Sequence, residues 1–220
     1  MNGLLIIIGK EFKTFIGSDR GMFLLYAVLI ASWSIMLAYP SGGGTIEPGP
    51  LWLVFFSVVI SANFTNTVFI SERVTGNLEI LLTSGISRKH ILYGKMIFVG
   101  GMSTAIGLLC IVLSIGWRAV LFHLPGTTIG ADSLLIYCCA VCMNTATSAW
   151  LSVHMGNPRL LHLANLLLLA LLVTLHSVAS LFLPVRPSML SAALLVICIV
   201  ATTAAHRVYE SEKILRPVDL

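Results

Sequence analysis

Six uncharged intervals of 20 to 26 residues punctuate this chain: Arg20 to Glu47, Glu47 to Glu72, Lys95 to Arg118, Asp132 to Arg159, Arg159 to Arg186 and Arg186 to Arg207. A helix rising ~1.5 Å per residue needs ~20 mostly apolar residues to cross ~30 Å of hydrocarbon, so each interval has room for one crossing. The intervals predict six membrane spans, at residues 21–39, 51–70, 96–117, 133–153, 160–183 and 188–205. Composition agrees, with 57% of residues hydrophobic and 10% charged, where a soluble domain carries about a quarter charged. The expected fold class is an all-α membrane protein in which residues 1–220 form one transmembrane domain.

The positive charges fix an orientation. With the N-terminus in the cytoplasm, one side holds Lys10, Lys13, Arg20, Arg73, Arg88, Lys89, Lys95, Arg159, Arg207, Lys213 and Arg216, and the other holds only Arg118 and Arg186. Such an excess of Lys and Arg belongs on the cytoplasmic face, which puts both termini and the segment 71–95 inside. Anionic lipid headgroups are a sufficient partner for the net charge of +4, and nucleic acid need not be invoked. The five cysteines, Cys110, Cys138, Cys139, Cys142 and Cys198, fall inside expected spans and read as small packing residues.

Residues 1–20 hold an apolar run, Leu4 to Ile8, too short for the core of a signal peptide. The stretch from Leu5 to Ile16 is amphipathic, with Leu5, Ile8, Phe12, Phe15 and Ile16 on one face and Lys10, Lys13 and Thr14 away from it, so the expectation is a helix lying in the membrane interface.

Polar side chains inside the spans are costly in hydrocarbon unless partnered. Asn63, Asn66, Thr67 and Ile70 share a face of span two; Asn144 and Ser148 lie one turn apart on span four; His162, Asn165, Leu169, Leu172 and His176 form a stripe on span five. Two readings stay open for Asn63, Asn66, Thr67, Asn144, Ser148, Asn165 and His176: hydrogen bonds that glue helices together, or the wall of a translocation path or dimer seam.

The chain has no phosphate-binding G-x-x-x-x-G-K-[ST] loop, no H-E-x-x-H, no G-x-S-x-G and no acidic metal cluster. No catalytic residue, metal ligand or cofactor site is expected, and the chain does not read as an enzyme. The spans hold no Asp, Glu, Lys or Arg at mid-membrane depth, which argues against a proton- or sodium-coupled carrier. Any uphill transport would draw its energy from another protein.

Residues 71–95, SERVTGNLEILLTSGISRKHILYGK, are the one long polar interruption. Gly76 and Gly85 read as breaks, Asn77 to Leu82 as a short amphipathic helix, and Ser87 as the N-cap of the helix that enters span three. The run Glu72-Arg73-x-x-Gly76-x-x-Glu79-x-Leu81-Leu82, with Ser87, Ile91 and Gly94-Lys95 after it, resembles the signature between the second and third helices of type-2 ABC exporter permeases. Asn77 stands where that family commonly has Thr, and the family's proline near Gly85 is missing.

The resemblance implies a six-helix subunit of a bacterial or archaeal cytoplasmic (inner) membrane. It implies pairing with a second permease subunit, as homo- or heterodimer, and with cytoplasmic ABC ATPase subunits that bind ATP and Mg. Residues 1–20 would be the interfacial helix, and Glu72, Arg73, Gly76, Glu79, Leu81, Leu82, Gly94 and Lys95 the ATPase-coupling segment. Spans two and five would border the dimer seam. Alternatives are a haem-exporter-type permease subunit of cytochrome c maturation and a non-transporting membrane scaffold.

Overall fold

The structure is a computed structural model and describes residues 3–17, 20–39, 50–70, 85–123, 130–155, 157–182 and 186–210. It consists of α1 (Gly3–Ile16), α2 (Arg20–Ala38), α3 (Pro50–Thr65), α4 (Arg88–Leu121), α5 (Ala131–His154), α6 (Pro158–Phe182) and α7 (Pro187–Glu210). α3 runs directly into a π-helical turn, Asn66–Ile70. Among the described residues no strand occurs.

Five stretches are long and apolar enough to cross a membrane: Leu51–Ile70, Arg88–Leu121, Ala131–His154, Arg159–Phe182 and Pro187–Tyr209. They make this a multi-pass membrane protein and correspond to the second through sixth expected spans. The described apolar part of α2, Tyr26–Ala38, is shorter than a span.

Local chemistry sets where α4 begins and ends. Gly85 sits at φ 76°, in the left-handed region that favours glycine. Two residues on, Ser87 is extended and its side chain accepts from the His90 backbone N–H at 3.4 Å, capping the helix. α4 then runs unbroken for 34 residues, about 51 Å, well beyond the hydrocarbon thickness. Arg118, expected in the outer loop, therefore lies inside α4 and is only 1% exposed. The reason is that nothing breaks the helix until His123, where φ reaches 51°.

α5 is the central helix. It shares its broadest contact with α7, and packs on α3 and α4 as well. Small residues on every side of it, among them Ala140, Ala146, Ser148 and Ala149, let the neighbouring backbones come close. Gly107 and Ser103 of α4 face Tyr137 of α5. The tyrosine hydroxyl donates to the Ser103 carbonyl at 2.7 Å, and its ring occupies the space where a side chain at position 107 would stand. Trp33 of α2 packs on Trp52, Phe55 and Phe56 of α3 at one level. Phe15, Tyr26 and Phe64 join α1, α2 and α3 at another.

α1 rests against α4. Ile7 and Glu11 are buried, whereas Leu5, Phe12 and Ile16 stay exposed, so most of the apolar face recognised in the sequence turns away from the rest of the protein. α6 is the peripheral helix: Leu163, Leu167, Leu171, Leu175 and Val178 form an exposed stripe along it.

Candidate functional site

Three pairs of polar side chains stitch α3, α5 and α6 together. Asn144 of α5 donates its amide to Ser57 Oγ of α3 at 2.8 Å, and Ser57 passes its own proton to the Val54 carbonyl at 2.7 Å. Asn165 of α6 donates to Ser148 Oγ of α5 at 2.9 Å. Asn66, in the π-helical turn, places its amide nitrogen against Nε2 of His162 on α6.

A cavity of about 270 Å³ opens between α3 and α6 beside these pairs, lined by Val58, Val59, Ala62, Asn63, His162, Asn165 and Leu166. The Oδ1 atoms of Asn66 and Asn165 are buried and accept no hydrogen bond among the described residues. A buried carbonyl oxygen left without a donor costs about 1–3 kcal/mol; of the two, only Asn165 lines the cavity, and a ligand that supplies a donor there would recover that cost. The cavity thus combines an apolar body with a few hydrogen-bonding groups, the usual make-up of a small-molecule site.

Of the residues singled out in the sequence, Asn66, Asn144, Ser148 and Asn165 come together in this seam. Asn63 lines the cavity, with its amide turned to the Val59 carbonyl at 3.4 Å. Thr67 is exposed and bonds back to the Asn63 carbonyl at 3.0 Å. His176 lies eleven residues beyond Asn165 on α6, about 16 Å along the axis and outside the seam.

Ser57 escaped the sequence reading, and the signal that could have found it is the hydroxyl series Ser57, Ser61, Thr65. Spaced by four, these residues lie on one helical face, and all three are buried. Asn144→Leu removes one stitch, and we expect it to lower stability by about 0.6–2 kcal/mol, measured as a shift in the thermal unfolding of the detergent-solubilised protein.

The second junction lies where α3 ends and α4 begins. Lys95 is completely buried; its ammonium donates to the Val68 carbonyl at 2.7 Å and stands 5.7 Å from the Phe69 ring. Glu11 of α1 acts on it as an attractive charge, and Glu11 also pairs with Lys10 at 3.3 Å. Next to it, Gly94 lets α1 approach: a Cβ there would stand 2.8 Å from Cγ2 and 2.9 Å from Cβ of Ile7. Glu72, Arg73, Gly76, Glu79, Leu81 and Leu82 lie outside the described residues.

Among the described residues no group of three or more His, Cys, Asp or Glu could hold a metal ion. The five cysteines are free thiols. Neither a family model nor a curated protein matches the chain.

Proposed function

We propose that this chain is the membrane-spanning permease subunit of an ATP-driven exporter of the type-2 ABC kind, working with a separate cytoplasmic ATPase. The observation that carries the reading is the position of the last two signature residues. Gly94 lies under Ile7 of α1 and Lys95 grips the Val68 carbonyl at the end of α3, so the start of α4 is tied to two other elements. A push on the segment 71–84 from a docked ATPase would reach α1, α3 and α4 together.

In this reading α2 completes six spans, and α1 lies in the interface with Leu5, Phe12 and Ile16 toward the lipid. Both termini and the coupling segment face the cytoplasm by the distribution of Lys and Arg. The exposed leucine stripe of α6 faces a second permease subunit across the seam, and the cavity between α3 and α6 borders the path. Its amides suit a substrate that carries hydrogen-bond donors.

Co-purification tests the proposal. An ATPase subunit is expected to accompany the detergent-solubilised chain, and Glu79→Arg, which reverses a charge in the proposed coupling segment, is expected to cut its recovery by about tenfold. Absence of any ATPase, even after cross-linking in native membranes, would remove the energy source and favour a scaffold.

A further inference from the structure

A second cavity, of about 300 Å³, lies where α5, α6 and α7 diverge, walled by Thr147, Trp150, Leu168, Val196, Val200 and Ala204 among others. Its surface is almost wholly carbon. Even Thr147 contributes only its methyl group, because its hydroxyl is spent on the carbonyls of Met143 and Asn144 at 3.0 and 3.1 Å. Cavities lined this way stay free of water. Val196 and Val200 are largely exposed, so the cleft is open along the side that meets the bilayer. An apolar cleft open to hydrocarbon fills with the hydrocarbon at hand, an acyl chain.

What distinguishes this cleft is the end toward which its walls run. On α7 the lining stripe Val196, Val200, Ala204 continues at helical spacing to Arg207, about 4.5 Å further along the axis. On α5 the stripe Thr147, Trp150 continues to His154, whose ring lies 5.4 Å from the Trp150 ring. Arg207 and His154 are both exposed. Because α5 and α7 both end here, the two side chains emerge at the same end of the bundle. A guanidinium is permanently charged and offers a fork of donors that matches phosphate oxygens. An apolar groove that leads to an arginine is the complement of a lipid with an anionic head.

We propose that α5, α6 and α7 form a seat for one anionic phospholipid, its acyl chain along Thr147, Trp150, Val200 and Ala204 and its phosphate on Arg207, beside His154, whose Nδ1 is engaged with the Trp150 carbonyl at 3.1 Å. The same groups disfavour a second copy of this chain in the cleft. A parallel copy in the same bilayer would bring its own Arg207 to the same depth, setting like charge against like. The seat is independent of the exporter reading, since it needs neither ATPase nor substrate.

Native mass spectrometry of the full detergent-solubilised chain tests it, with phosphatidylglycerol and phosphatidylcholine of identical acyl chains as the two probes. Phosphatidylglycerol is expected to bind the native chain about fivefold more tightly. Arg207→Gln should abolish that preference by weakening phosphatidylglycerol more than phosphatidylcholine, whose phosphate is offset by its choline, whereas Ala204→Trp, which fills the groove, should weaken both. A readout free of variants is the thermal unfolding of the native chain, which phosphatidylglycerol should raise more than phosphatidylcholine does. Equal affinity of the native chain for the two lipids, or a preference that survives Arg207→Gln, would overturn the proposal. So would a disulfide-linked dimer formed in native membranes through Val200→Cys, which would give the cleft to a second copy.

Discussion

Gly107→Leu is expected to leave no folded protein after extraction from the membrane. The Tyr137 ring fills the space above Gly107, and it is held there from three sides. It is 1% exposed, its hydroxyl is tied to the Ser103 carbonyl at 2.7 Å, and its ring packs 5.8 Å from that of Phe56. A side chain at position 107 cannot push the ring aside without breaking that hydrogen bond and opening the contact between α4 and α5. Overpacking a well-filled core costs about 1–3 kcal/mol, and a leucine that must displace a locked aromatic ring belongs at or above the top of that range. Size-exclusion chromatography of the extracted protein should show aggregate in place of a single peak. The control is Tyr137→Phe, which keeps the ring and loses only the hydroxyl, and should cost about 1 kcal/mol. If Gly107→Leu instead melts like the native chain, the close approach of α4 and α5 at this level is wrong.

Lys95→Glu is the second change expected to be severe. The native ammonium is enclosed, donates to a backbone carbonyl and lies in the attractive field of Glu11. A carboxylate in its place would face the Val68 oxygen, acceptor against acceptor, and would add a second negative charge near Glu11. Leaving a buried charge uncompensated typically costs about 3–5 kcal/mol, and a carboxylate set against the Val68 carbonyl should reach at least that. Lys95→Met should cost less, because the desolvation of the ammonium disappears together with its hydrogen bond. The measurement is thermal unfolding of the three proteins side by side, and Met falling below Glu would refute the electrostatic account. In the exporter reading Lys95→Met keeps the docking surface, so the ATPase should still co-purify with it.

The spans were legible because charges and helix-breaking residues bound them. Expected spans at 133–153, 160–183 and 188–205 compare with Ala131–His154, Pro158–Phe182 and Pro187–Glu210 in the structure. Charge spacing failed at Arg118, because a long cationic side chain can stay inside a helix when the protein encloses it. On α1 the sequence shows which face is apolar, but not that Ile7 and Glu11 would be the buried pair. That choice depends on Gly94, a distant position whose missing side chain makes the room. The seam was half legible. Amides in an apolar run announce that they need partners, so Asn66, Asn144 and Asn165 stood out, yet periodicity alone could not name Ser57 or match His162 with Asn66.

Least visible of all was the change from α to π hydrogen bonding at Asn66–Ile70, which no residue type marks. A π turn bonds each N–H one residue further back than an α turn does, so it accommodates one surplus residue while the helix before it keeps its facing. This surplus makes the region a place where the chain can change length. Deleting one residue from Asn66–Ile70 should close the turn into ordinary α-helix, with Ser57 still opposite Asn144 and Lys95 still within reach of the helix end. The same deletion a turn earlier, among Val58–Ala62, would rotate Asn63 and Asn66 by about 100° and take Asn66 away from His162. Across related chains, single-residue gaps in this helix should therefore collect at the π turn.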